Sequence, residues 1–184
     1  LDGLDSLGNP YNIITANAHG PADYLSSNPI NIASFTEVYL SFYYQAQGIG
    51  NAPESNDVLS VEYLNDSNDW IEVWSQSGTD LTDFEEVQLT VSNPEFMHAN
   101  FQFRFHNQST LSGSFDHWHL DNILLTEDTS LLADKDDVAF VYESSQTLKT
   151  YLQMPWEHYK SNPLSFTQEQ MEVIVRNNFS TTQA

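Results

Sequence analysis

The chain has 184 residues, 40% of them apolar and 13% aromatic, which is enough to build a core and argues against disorder throughout. Its 26 Asp and Glu against 5 Lys and Arg give a formal charge of −21; such a surface repels phosphate backbones and anionic lipid and attracts divalent cations, which disfavours nucleic acid and membrane surfaces as partners. There is no cysteine, which removes disulfides, thiol nucleophiles and thiolate metal sites together, and no apolar run approaches the roughly 18 residues of a membrane span.

Residues 1–23 are rich in Asp, Asn, Gly and Pro around one short apolar patch, Ile13-Ile14, and read as loop with one edge strand. Over residues 38–45, Val38, Leu40, Phe42 and Tyr44 alternate with polar or amphipathic partners, the period-two mark of a half-buried strand. The loop 47–57 holds Gly48, Gly50, Pro53, Glu54, Asn56 and Asp57, and a second strand follows over 58–64 with Leu59, Val61 and Tyr63 in phase. Residues 65–69 are a hairpin connection, because Asn and Asp tolerate left-handed turns; they lead into a strand over 70–74. A turn at 77–80 precedes another strand at 84–91, closed by Asn93-Pro94. Residues 100–106 alternate most cleanly of all, with Phe101, Phe103 and Phe105 inward.

The segment 115–125 is apolar but breaks phase. Trp118 and Leu120 share one face, while Ile123 and Leu125 lie an odd number of positions further on. A β-bulge at Asp121-Asn122 absorbs the extra residue, turns Trp118, Leu120, Ile123 and Leu125 all toward the core, and re-aims the Asp121 carboxylate.

Strands of about five to eight residues separated by turns, with no helix before residue 127, predict an all-β fold, an antiparallel jelly-roll sandwich over residues 1–126. Residues 127–137, with Glu127, Asp128, Asp134, Asp136 and Asp137, form an acidic linker. Residues 138–184 contain three apolar runs of strand character, 138–143, 148–154 and 171–176, around an interval 155–170 that is irregular or holds one short helix. Roughly 50 residues are few for an independent β domain, so this part is expected to be a partial or accessory immunoglobulin-like module. A start at Leu1 instead of Met leads us to expect a piece of a longer polypeptide.

Five stretches in order carry a family resemblance: Tyr39-Leu40-Ser41-Phe42-Tyr43-Tyr44, Asp57-Val58-Leu59-Ser60-Val61, Asp69-Trp70-Ile71-Glu72-Val73-Trp74, Phe101-Gln102-Phe103-Arg104-Phe105 and Trp118-His119-Leu120-Asp121-Asn122-Ile123. Over residues 1–126 the chain resembles the MAM-like jelly roll, and more closely the choice-of-anchor J or cleaved-adhesin modules of secreted bacterial proteins. The resemblance implies a non-catalytic recognition or adhesion module in an extracellular multidomain protein exported by the type IX route, calcium-stabilised in some members. The family's commoner Asp-Asp pair stands here as Asp121-Asn122.

Ca²⁺ needs six to eight hard oxygen ligands converging from loops. Asp121 at the bulge is one candidate, Glu54 and Asp57 before the second strand are others, and an N-terminal segment running beside the last strand brings in Asp2 or Asp5. The plain alternative is that these carboxylates cap loops or meet solvent. Zn²⁺ is disfavoured: His117 and His119 share a strand face at i, i+2, but no further ligand completes the set. A glycan would use Trp70, Trp74 and Glu72, placed on one strand face, with His117 and His119 reading hydroxyls, unless that face is core. No nucleophile elbow, zinc-protease helix or phosphate loop appears, and five basic residues leave little to stabilise an oxyanion. The sequence therefore predicts a non-catalytic module that binds a glycan or protein at a cell surface. The alternatives are an accessory domain of a secreted hydrolase or a structural spacer in an outer-surface assembly.

Overall fold

A computed structural model describes residues 1–47, 50–133, 138–140, 146–171, 173 and 175–177. The chain divides into two compact units, Leu1–Thr129 and Ser130–Ala184, and the division falls inside the acidic stretch 127–137.

The first unit is an antiparallel β-sandwich of seven strands: β1 (His19–Ser26), β2 (Val38–Ala46), β3 (Val58–Leu64), β4 (Trp70–Ser77), β5 (Glu85–Val91), β6 (Phe103–Thr110) and β7 (Trp118–Thr126). One sheet has the order β1-β6-β3-β4 and the other β5-β2-β7. Period-two alternation sends Leu40, Phe42 and Tyr44 of β2 and Leu59, Val61 and Tyr63 of β3 inward, all buried, against Phe103 and Phe105 of β6. The two layers meet through aromatic edges. Phe42 packs edge-to-face on Phe105 at 4.9 Å and on Trp74 at 5.3 Å, and Tyr44 on Trp74 at 5.2 Å. Each such ring contributes about 1.5–3 kcal/mol through burial and about 0.5–1.5 kcal/mol more through its geometry.

The phase break in β7 is a bulge. Phe42 of β2 stands opposite both Asn122 and Ile123, since Ser41 pairs with Leu124 and Tyr43 with Asp121, and Asn122 takes a left-handed φ of +50° that Asn accepts readily. Trp118 is buried, and Leu120 and Leu125 pack against the core. Ile123 departs from expectation. As one of the two residues sharing a single partner it stays 39% exposed.

A second bulge lies in β4, where Val61 pairs with Trp74 but Glu62 pairs with Glu72, leaving Val73 as the extra residue. It splits the face on which Trp70, Glu72 and Trp74 were placed together. Trp74 turns inward to Phe42 and Tyr44, while Glu72 is exposed and Trp70 lies against Arg104.

The N-terminal edge strand is also displaced from its expected place. Ile13 and Ile14 are 82% and 92% exposed, in a turn held by Asn12 Oδ1, which accepts from the Ile14 and Thr15 amides. The strand is β1, whose inward positions are only Gly20 and Ala22. Small residues there leave little apolar periodicity to read.

In the second unit, α1 (Ser130–Ala133), α2 (Trp156–Tyr159) and α3 (Pro163–Phe166) are single turns, and β8 (Val138–Phe140) pairs antiparallel with β9 (Val175–Asn177). Two of the three predicted strand runs thus contain short strands, although 134–137, 141–145, Glu172 and Ile174 lie outside the described residues. The run 148–154 is not a strand: Leu148 makes one isolated bridge to Thr167 and Leu152 is 83% exposed. The interval 155–170 holds two short helices, α2 and α3, where an irregular path or one short helix was expected. Among the described residues no helix is long and apolar enough to cross a membrane.

Candidate metal centre

Three carboxylates converge at one end of the sandwich. Oxygens of Glu54, Asp57 and Asp116 all lie within 4.8 Å of one another, and Asp57 and Asp116 are 0% and 1% exposed. Asp57 stands two residues before Leu59 and Asp116 two before Trp118, so each continues the inward parity of the strand it precedes.

The loop from β2 to β3 brings in Glu54. It turns tightly at 54–57, where the Asp57 amide donates to the Glu54 carbonyl at 2.9 Å and the Glu54 amide donates back to Asp57 Oδ2 at 2.6 Å. Gly78, just after β4, donates to the Asp57 carbonyl at 2.8 Å. It passes so close to the Pro53 and Glu54 backbone that a Cβ at this position would overlap the Glu54 carbonyl oxygen.

The loop from β6 to β7 brings in Asp116, which adopts φ +55° and accepts the Thr110 amide on Oδ2 at 2.8 Å. Asn51 stitches the two loops together: its Oδ1 accepts the Asp116 amide and its carbonyl accepts the His117 amide at 3.0 Å. His19, at the start of β1, donates to Asp57 Oδ1 at 2.8 Å. The Glu54 carboxyl is pushed above its ordinary value, first by its hydrogen bond with Asp57, then by desolvation and by repulsion from Asp116 and Asp57. Hard oxygen donors of this kind suit a divalent cation of the Ca²⁺ type, and among the described residues His19 is the only basic side chain paired to them.

Of the five carboxylates proposed from sequence, the structure brings Glu54 and Asp57 together. Asp121 lies outside the group; it is exposed and accepts the neighbouring Asn122 amide at 2.7 Å. The N-terminal segment does run beside the last strand, with the Trp118 amide donating to the Leu1 carbonyl at 3.1 Å. Even so, Asp2 caps its own turn through Leu4 and faces Ser114 and His117, and Asp5 caps the turn 5–9 through the Leu7 and Asn9 amides. Asp116 was not foreseen. Its parity with Trp118 is the signal that marks it.

The proposed ligand-reading side chains are separated. His117 Nε2 bonds with Ser114 Oγ at 2.9 Å, whereas His119 Nε2 donates to the Gln47 carbonyl at 3.1 Å. Trp74 is partly buried and packs against the core. Trp70 lies on the outward side of its sheet, where the Arg104 guanidinium sits 4.2 Å from its ring centre and 4.5 Å from that of Tyr24. Arg104 is also ion-paired with Glu62. A ring face that a sugar would stack on is therefore already covered by a neighbouring side chain. Compared with known proteins, the chain matches no family model and no curated protein.

Proposed function

We propose that Leu1–Thr129 is a non-catalytic recognition module of an extracellular or cell-surface protein, a jelly roll of the MAM-like, cleaved-adhesin kind stabilised by Ca²⁺. Ser130–Ala184 is read as the partial immunoglobulin-like module beside it. The observation that carries this reading is the burial of Asp57 and Asp116 within reach of Glu54. Two sequestered carboxylates and a third at their mouth repel one another, and a bound cation removes that cost while tying together the loops before β3 and β7. The run of five family-like stretches and the N-terminal segment lying against β7 support the jelly-roll assignment. The ligand is a glycan or a protein on a cell surface, and Trp70 reaches it only where Arg104 gives way.

Calorimetric titration of the protein with Ca²⁺ after chelator treatment tests the cation. Saturable binding that disappears in Asp116→Asn is expected; no heat, together with a melting midpoint indifferent to Ca²⁺ and chelator, would overturn the reading.

A further inference from the structure

β1 is attached to the first sheet through β6 alone, and it gives the core little beyond Ala22. Its register with β6 is interrupted between Pro21 and Tyr24. Two pins flank this weak stretch. His19 bonds with Asp57 at one end, and at the other the Ser27 amide donates to the Phe103 carbonyl at 2.9 Å.

Between the pins, the main side-chain attachment on the outward side is a stack. The Tyr24 ring lies 4.4 Å from that of His106 at an interplanar angle of 9°, and the Arg104 guanidinium covers Tyr24 as well. We propose that His106 is an acid-sensitive latch: when its imidazole takes up a proton, the ring leaves Tyr24 and the middle of β1 opens from β6.

The geometry supplies the reason. His106 is 15% exposed, and its buried Nε2 has no hydrogen-bond partner among the described residues. A bare imidazole nitrogen tolerates that position; an N–H carrying positive charge does not, because the atom is shut off from solvent and no acceptor among the described residues meets it. The groups facing the ring are Tyr24 from β1, Glu62 from β3, Glu72 from β4 and Arg104 from β6. Glu62, 3.7 Å from Nδ1, is already committed to Arg104. Burial, the largest influence, and Arg104 hold His106 below its usual value of 6.5, against the opposing pull of Glu62 and Glu72. The neutral form is thus favoured by the fold. The stabilisation is present above the ordinary histidine range and is lost as pH falls through it, because below it the unfolded chain binds the proton more readily. Opening also strips Arg104 of one of its two aromatic covers.

Amide hydrogen exchange on the intact protein at about pH 7.5 and about pH 5.5, corrected for intrinsic rates, tests the latch. Protection over residues 22–25 should fall by about threefold or more relative to β3 in the native protein. In His106→Phe, which keeps a stacking ring that cannot titrate, the ratio should stay constant; His106→Gln serves if phenylalanine is not accommodated. A constant ratio in the native protein, or the same acid loss in a non-titrating variant, overturns the proposal.

Discussion

Glu54 and Asp57 are bonded twice, the Glu54 amide to Asp57 Oδ2 and the Asp57 amide to the Glu54 carbonyl, so the loop that carries one carboxylate is shaped by the other. Local geometry and acidic chemistry are therefore inseparable in this loop. We expect Ca²⁺ to raise the thermal midpoint over chelator-treated protein, by about 2.7 kcal/mol of stability at a hundredfold excess over the dissociation constant. Asp116→Asn should lose that gain yet melt no lower than the parent in chelator, because it removes a repelling charge. Scanning calorimetry under both conditions distinguishes this from a purely structural role, in which the variant is weaker everywhere.

Arg104 is the only Lys or Arg between residues 1 and 129, and from β6 it ties down outward side chains of three other strands, Tyr24 of β1, Glu62 of β3 and Trp70 of β4. Arg104→Lys keeps the charge but loses the planar group that fits between two rings. It should cost about 1–2 kcal/mol in urea unfolding. Parent-like stability would show that the stack is incidental.

The bulge in β4 separates two tryptophans that strict alternation would align. Trp74→Ala should cost about 3–5 kcal/mol, as for a large core side chain, whereas Ile123→Ala at the β7 bulge should cost under about 1 kcal/mol because that residue is already 39% exposed. Denaturant midpoints for the pair decide whether both bulges direct side chains as described.

Tyr44 is 5% exposed, and its phenol is pushed up to about 12, first by burial and then by its hydrogen bond to Glu85. The fold holds this proton more tightly than the unfolded chain does. Its contribution is present below the ordinary tyrosine value of 10.0 and is lost as pH rises through about 12. Tyr44→Phe should flatten the decline of the melting midpoint across that alkaline window, followed together with tyrosinate absorbance.

Alternation made β2, β3 and β6 legible, since Leu40, Leu59 and Phe105 recur at every second position and each is completely buried. The β7 bulge was legible for the same reason, as a defect in a strong pattern. In β4 the apolar residues Ile71, Val73 and Trp74 fit two phases equally well, so the extra residue could not be placed from sequence. β1 was hidden because glycine and alanine occupy its inward positions. Two of the three carboxylates in the cluster, Glu54 and Asp57, were visible from the loop at 54–57. Asp116 was passed over for Asp121, which sits beside a bulge but has outward parity, whereas Asp116 shares the parity of Trp118. Parity is set by backbone pleat and governs burial; nearness to an irregularity does not.

The placement of Arg104 bears on how long such a unit survives a protease. A trypsin-like protease finds one cleavable peptide bond in the first 129 residues, and that bond lies in β6 with strands paired on both sides. Cleavage there must wait until β6 loses its neighbours, so trypsin is expected to cut first in the second unit, at exposed Lys149 and Lys160, while the sandwich persists.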